Sequence, residues 1–330
     1  MRDSFNVLIS SAGRRVALLN IFRRTLAKMG LRGRVMAADM SSLSSAFHSA
    51  DDSFLVPSCR DQEFIPSLLE NCSKRSIDLV IPTIDPELPV YAAHRDAFSD
   101  IGTTVAVSTP EAVGITFDKV STHEWLVDNG FPTVKQFSVG EGDVESNGLP
   151  FPLLVKPRRG SASIGVAIVE DPRQFEMATQ AGDFVAQTIA SGNEHTIDVL
   201  TDRSGRCVCA VPRRRLETRS GESSKGITVR SNELISLAER LCEALPGPYG
   251  PLTVQVFVDD LTGELSVVEI NPRFGGGFPL SWEAGARYPQ WLIEEILGLS
   301  STASNSEWKS GLVMLRWDEG VFVNADQVEI

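Results

Sequence analysis

Two short apolar runs in the C-terminal third constrain this chain more than any other feature: Val254-Gln255-Val256-Phe257 and Val267-Val268-Glu269-Ile270-Asn271-Pro272-Arg273. Between them stands Asp259-Asp260-Leu261-Thr262-Gly263, a turn-forming stretch that predicts an antiparallel hairpin. Side chains alternate along a strand, so Glu269, Asn271 and Arg273 share one face. Gln255 lies about as far before the turn as Glu269 lies after it, and joins that face. Three oxygen donors beside a guanidinium suit Mg²⁺ (or Mn²⁺), which takes hard oxygen ligands and leaves positions for phosphate and water. A solvated polar stripe would give the same pattern. The run Phe274-Gly275-Gly276-Gly277-Phe278 directly after it tips the reading to a metal–phosphate site, because glycine permits close backbone approach to a ligand.

The chain's 330 residues leave room for two or three packed subdomains, and 42% apolar with 22% charged residues is ordinary for a globular protein. A net charge of −12 argues against a general nucleic-acid binder. Arg213-Arg214-Arg215 keeps a small anionic substrate in view. No apolar run reaches the length of a membrane span, and no signal-peptide pattern precedes the strand-like Asn6-Val7-Leu8-Ile9-Ser10. Five cysteines without CxxC spacing fit a reducing cytoplasm, with Cys207 and Cys209 alternating as core residues. The expected partners are small molecules, with neither nucleic acid nor membrane, and a homodimer is left open.

Strand-like segments recur at Val7-Leu8-Ile9, Val35-Met36-Ala37, Leu79-Val80-Ile81 and Val105-Ala106-Val107, separated by helical stretches such as Val16 to Met29. That rhythm predicts βαβ units and a parallel sheet, whose ligands bind beyond the carboxyl ends of the strands. The loops Ser10 to Arg15 and Thr83 to Glu87 are therefore candidates. Without the three-glycine fingerprint, NAD is not expected. A helix over Thr116 to Asn129 and a polar loop over Gly140 to Pro150 follow. Strands are then predicted at Leu153 to Lys156, Val166 to Val169, Phe184 to Gln187, His195 to Leu200 and Cys207 to Pro212. Helices are predicted at Pro172 to Thr179 and Glu233 to Ala244. The fold class is an α/β N-terminal domain with a parallel sheet (1–114), followed by an α+β fold of two lobes (115–186 and 187–330).

Lys156 ends a buried-looking strand and is followed by Arg158-Arg159-Gly160-Ser161-Ala162-Ser163-Ile164-Gly165. Backbone N–H groups of such a loop can cradle phosphate while the lysine supplies a point charge. It is no Walker loop, since Val166-Ala167 stands where Lys-Ser/Thr belongs; alone it also reads as a mobile surface hairpin. Gln187 and Glu194 flank a Ser-Gly-Asn turn where a polar side chain could read an adenine edge and a carboxylate could hold a ribose. Taken alone, that stretch reads as a salt-bridged surface hairpin.

In order and spacing these pieces resemble the ATP-grasp family, most closely its single-module members similar to the carbamoyl phosphate synthetase large subunit. The resemblance covers nearly the whole chain, through Phe117-Asp118-Lys119, Val155-Lys156-Pro157 and its glycine loop, Gly192-Asn193-Glu194, Val211 to Arg215, Gln255 and Glu269 to Arg273. It implies ATP and Mg²⁺, with Lys119 and Lys156 on the phosphates and Gly160, Ser161, Ser163 and Gly165 in a closing loop. Gln187, Thr188 and Ile189 would be the adenine hinge and Glu194 the ribose partner. Gln255, Glu269 and Asn271 would be the metal ligands, and Arg273 would hold the transferred phosphate. Gln187 and Gln255 depart from the carboxylates common in the wider family, which leaves one formal charge among the metal ligands.

The activity so implied is carboxylate–amine ligation through an acyl phosphate, releasing ADP and phosphate. Arg213 and Arg215 share a face if Val211 to Thr218 is extended, and could clamp an acceptor carboxylate; a cationic edge strand is the alternative. Arg219 to Gly226 reads as a mobile loop near that site. The Ser11 to Arg15 loop and Glu87 are candidates for the second substrate, while His123 and His195 pack or cap. Two other readings stay open: carbamoyl-phosphate-type chemistry on bicarbonate, for which the chain has only one module, and a nucleotide-binding regulator without turnover.

Overall fold

The computed structural model describes residues 3–140, 148–160, 164–180, 182–219 and 221–329. Most of the polar loop over 140–150, and Ser161 and Ser163 of the glycine-rich loop, lie outside the described residues.

Apolar triplets alternating with helices build the first layer: β1 (Val7–Ile9), α1 (Val16–Lys28), β2 (Val35–Asp39), α2 (Ser45–Ser49), β3 (Ser53–Leu55), α3 (Phe64–Arg75), β4 (Leu79–Ile81), α4 (Leu88–Ala93), α5 (Arg95–Asp100) and β5 (Thr104–Val105). The strands pair in parallel in the order β3-β2-β1-β4-β5, with β1, β2 and β4 wholly buried, as a sheet covered on both faces requires. The order reverses between β1 and β4, so the loops Ser10 to Arg15 and Thr83 to Glu87 open side by side at a crevice. Strand β5 ends at Val105, two residues short of the expected run.

The helix expected over 116–129 is two helices, α6 (Pro110–Phe117) and α7 (Lys119–Asp128). Asp118 interrupts them with φ −115° and ψ 122°, because its carboxylate accepts from Val120 N and Ser121 N and starts a new helix. There follow β6 (Gln136–Ser138), β7 (Leu153–Pro157), β8 (Ala167–Val169), α8 (Pro172–Thr179) and β9 (Phe184–Thr188); the four strands form an antiparallel sheet in the order β6-β9-β7-β8.

The last layer comprises β10 (Asn193–Thr201), β11 (Cys207–Arg219), β12 (Glu222–Thr228), α9 (Asn232–Ala244), β13 (Gly250–Val258), β14 (Leu265–Asn271), α10 (Phe278–Ala284), α11 (Tyr288–Ile296) and β15 (Val313–Leu315). Its antiparallel order is β14-β13-β10-β11-β12-β15. One alternative and one expectation are corrected here. Strand β11 lies inside the sheet rather than at its edge, and most of the supposed mobile loop after Arg219 is β12, hydrogen-bonded to β11 and β15. Cross-strand partners override the Gly/Ser composition that suggested a loop. Helices α10 and α11 were not foreseen.

One core joins the first sheet to the last. Leu19 and Phe22 of α1 pack with Phe278, Trp282, Tyr288 and Trp291, and Phe22 meets Phe274 edge-on at 6.2 Å. That packing holds the β1 and β4 loops against the Phe274 turn. Among the described residues no helix is long and apolar enough to cross a membrane.

Candidate active site

The hairpin of β13 and β14 pairs Gln255 directly with Glu269 and Thr253 with Asn271. Val267 pairs with Val256, so Val268 is the extra residue of a bulge beside the Gln255–Glu269 pair. Asn271 is buried, and one terminal atom of its amide lies 3.3 Å from Glu269 Oε1 and 3.1 Å from Asp85 Oδ1. Turned one way, its nitrogen donates to both carboxylates. Turned the other way, its oxygen accepts from Arg273 Nη2 at 3.4 Å and stands beside both carboxylates, an arrangement a cation would stabilise. Arg273, just past β14, donates from Nε and Nη2 to the two oxygens of Asp85. Among the described residues no cluster of three or more His, Cys, Asp or Glu surrounds any point. An oxygen set of one glutamate and two amides therefore relies on phosphate to complete a metal's coordination.

Two lysines converge nearby. Lys156, near the end of β7, is 7% exposed, and burial pushes its ammonium down to about 8, with Glu269 pulling it up and Lys119 pushing it further down. Lys119, the first residue of α7, donates from Nζ to Gly160 O at 2.8 Å. The base of the glycine-rich loop is tied to the same helix end: Arg158 Nε contacts both Asp118 oxygens at 2.8 Å, and Arg159 Nη2 lies 3.2 Å from Asp118. Burial alone would raise the Asp118 carboxyl, but Arg158 and the Val120 and Ser121 amides hold it below its usual range. Gly165 has φ 73° and sits against Pro157, outside the cavity wall.

Gln187 on β9 is 4% exposed, and its Oε1 has no hydrogen-bond partner among the described residues. A buried acceptor left open is costly unless something donates to it. Ile189 lines the same cavity, whereas the Thr188 amide is committed to Lys135 O. Glu194, at the start of β10, is ion-paired with Arg215, and burial raises its carboxyl despite that neighbour. Arg213 is wholly buried, with Nε 2.6 Å and Nη2 3.0 Å from Asp198, whose Oδ2 also accepts from Ser281 Oγ. Both arginines thus carry internal carboxylate partners that sequence reasoning did not identify.

The three glycines after Arg273 make room for the chain's own side chains. A Cβ at Gly275 would stand 3.0 Å from Thr253 Oγ1, one at Gly276 2.5 Å from Glu222 Cδ, and one at Gly277 would overlap the Arg213 guanidinium. Glu222 in turn lies 3.2 Å from Arg15 Nη1 and accepts from Arg316 at 2.8 Å. Glu87 is not available to a substrate: it is fully buried and accepts from Ser10, Ser11 and the Thr83 and Ile84 amides, fixing the two crevice loops to each other.

One cavity of about 460 Å³ is lined by Lys119, Lys156, Gly160, Gln187, Ile189, Glu194, Arg213, Arg215, Gln255, Glu269, Asn271 and Arg273, together with Asp85, Arg15 and Glu222. Asp85 lay within a candidate loop without being singled out. Nothing local in the sequence marks Asp198, Glu222 or Arg316, which act through partners far along the chain.

A sequence profile described as "PylC-like, N-terminal domain" matches residues 7–106, and one described as "ATP-grasp domain" matches residues 116–277. The alpha subunit of mitochondrial methylcrotonoyl-CoA carboxylase from Oryza sativa subsp. japonica is 24% identical over 216 residues, 58% of this chain and 29% of that one. The D-alanine–D-alanine ligase of Thermotoga petrophila is 31% identical over 127 residues, 34% of this chain and 40% of that one. The matches thus span less than half the length of these relatives. In fold, the biotin carboxylase domain of Hydrogenobacter thermophilus 2-oxoglutarate carboxylase, solved with MgADP, ADP and bicarbonate, superposes with a TM-score of 0.72 at 16% identity, covering 94% of this chain and 73% of that one. The L-amino acid ligase of Bacillus licheniformis does so with a TM-score of 0.69 at 19% identity, covering 92% and 76%.

Proposed function

The chain belongs to the ATP-grasp family, and from that premise we propose that it is an ATP- and Mg²⁺-dependent ligase joining a carboxylate to an amine, with release of ADP and phosphate. The observation that carries this reading is the convergence of Lys119, Lys156 and Arg273 with the oxygens of Gln255, Glu269 and Asn271 in one cavity. The residues fit the nucleotide: the open Oε1 of Gln187 matches an exocyclic amino donor, and Glu194 lies on the same cavity wall. They fit the metal as well, since the Asn271 amide can turn its oxygen toward Glu269 and Asp85. Mg²⁺, when bound, would neutralise phosphate charge and orient the transferring group.

The chain's own contribution is position and charge. Lys119 and Lys156 come from two elements pinned together by Asp118 and its arginines, so they meet a triphosphate already oriented. Arg273 is held in its plane by Asp85 and offers a fixed guanidinium to a phosphoryl or acyl-phosphate oxygen. The glycine-rich loop after Arg159, tethered through Gly160 to Lys119, is suited to closing over the phosphates and excluding water from a reactive acyl phosphate. Arg215 borders both Glu194 and the cavity and supplies positive charge toward a carboxylate substrate.

The test incubates the protein with Mg-ATP, hydroxylamine as a surrogate amine, and pools of small carboxylates. Stoichiometric ADP and hydroxamate, lost in Glu269→Ala, is the expected result. AMP in place of ADP, or ADP without hydroxamate from every pool, would overturn the acyl-phosphate reading.

A further inference from the structure

Beyond the phosphate and metal cluster, the same cavity is walled by a guanidinium and a carboxylate with no role in nucleotide binding: Arg15, from the loop after β1, and Glu222, from the start of β12. Arg15 is placed by a rigid loop. Gly13, at φ 49°, donates to Asp39 Oδ2 at 2.7 Å, and its carbonyl accepts from Ser44 Oγ at 2.7 Å and from Ala46 N at 2.9 Å. The Arg15 side chain is 19% exposed, yet among the described residues it donates no hydrogen bond. Its one ion contact is Nη1 to Glu222 Oε1 at 3.2 Å. Arginines this enclosed ordinarily satisfy their donors.

Glu222 is better supplied, accepting from Arg316 Nη1 at 2.8 Å with Arg14 at 4.0 Å. Three guanidinium groups therefore surround one carboxylate, and the wall has positive charge to spare. The bare Gly276 lets Glu222 reach this wall at all. Burial lowers the Arg15 pKa, Glu222 offsets this in part, and Arg273, Arg316 and Arg14 lower it further; Arg15 and Arg273 line the same cavity. Glu222 is kept below its usual range, the three arginines outweighing its burial, so it is anionic and able to pair with a cation.

A simple anion entering here would meet Arg15 but be repelled by Glu222; a simple amine would meet the reverse. A molecule carrying both charged groups on one carbon satisfies both. Resting on the ligase reading above, we propose that Arg15 and Glu222 form the head-group site for an α-amino acid as the amine-bearing substrate, its carboxylate on Arg15 and its ammonium on Glu222. The ammonium gives one proton to Glu222 to become the attacking amine, the N–C bond forms as the acyl C–O bond breaks, and the second proton leaves with the phosphate. Inserting such a head group replaces an ion contact without hydrogen bonds by charge-assisted bonds at both ends. The site joins the N-terminal crevice to the last sheet, so the second substrate is read by residues from both halves of the chain.

The experiment is isothermal calorimetry on the full chain saturated with Mg-ADP. The titrants are the common α-amino acids, each matched with its decarboxylated amine and its deaminated acid. At least one amino acid should bind, with each matched half-molecule weaker by about 100-fold, the scale of losing one partner of a desolvated charge pair. Arg15→Gln should erase the preference over the amine, Glu222→Gln the preference over the deaminated acid, and Arg15→Lys should retain part of the first. Melting curves check that the variants fold, and if Arg15→Gln does not, Arg15→Lys and Glu222→Gln carry the comparison. Deaminated acids or inorganic phosphate binding as well as the amino acid, preferences unchanged in the variants, or no amino acid binding at all would each overturn the proposal. The ligase reading fails separately, in the hydroxylamine trap, where the surrogate amine has no carboxylate for Arg15 to hold.

Discussion

Arg273 grips Asp85 with two parallel hydrogen bonds of 2.7 Å, linking residues 188 apart in sequence. Their side chains are 12% and 13% exposed, so the pair is shielded from solvent and joins the β4 loop to the end of β14. A bidentate pair of this kind fixes the plane of the guanidinium as well as its position.

Removing one member strands the other's charge. Arg273→Ala should destabilise the fold by about 3–5 kcal/mol, the usual cost of breaking a buried pair from one side. The double variant with Asp85→Ala should lose less than the two single effects summed. Denaturant unfolding of the four proteins checks this, and strict additivity would show the pair to be uncoupled.

Lys156 gives opposite pH dependences for stability and for nucleotide binding. Its folded pKa of about 8 is below the ordinary 10.5, so its charged form destabilises the free protein below pH 8. Between about 8 and 10.5 the unfolded chain binds more protons, and this group's contribution to stability rises with pH across that window. Phosphate attraction runs the other way, because a neutral amine attracts less. Mg-ATP affinity measured by calorimetry should fall as pH rises through about 8, and Lys156→Arg should flatten that fall.

Gln255 faces Glu269 across the hairpin, so Gln255→Glu places a second carboxylate against the first. Without metal the like charges should lower the melting temperature. With Mg-ATP the extra anionic oxygen should reduce the Mg²⁺ concentration needed for half-maximal ADP release several-fold. Glu269→Gln should act in the reverse sense and cost at least about 100-fold in turnover, as loss of transition-state charge stabilisation does. A Mg²⁺ titration of the three proteins decides it.

The open Oε1 of Gln187 predicts a variant that helps the empty protein and harms the loaded one. Gln187→Leu removes an unsatisfied buried acceptor and should be neutral or slightly stabilising by thermal melting. It should also raise the KM for ATP by about tenfold and erase discrimination against purine nucleotides lacking the amino group. Equal KM values for the variant and the parent would place the adenine elsewhere.

Local pattern made much of this architecture readable. The βαβ rhythm of apolar triplets is the parallel sheet, and the turn at 259–263 brings Gln255 opposite Glu269 because a hairpin's loop sets its register. Helices α8 and α9 lie within a residue of their expected ends, their caps Asp171 and Ser231 being local signals. Asp118 reads as helix interior from the apolar pattern on either side, whereas its backbone is extended and its carboxylate caps a second helix. The three glycines suggest close approach of a ligand, whereas what approaches them in the structure is Thr253, Glu222 and Arg213 from other strands.

The sequence by itself determined most of the element types and the family, and it named the polar residues that meet in the cavity, because these rest on spacings of a few residues and on side-chain chemistry. Only the tertiary structure decided that Arg273 belongs to Asp85, Arg213 to Asp198, and Arg15 and Arg316 to Glu222, and that Glu87 is sealed in the interior. Charges pair through space. Which carboxylate a guanidinium meets is set by how α1 packs on α10 and α11 and by how Phe274 packs against Phe22, neither of which any local spacing encodes.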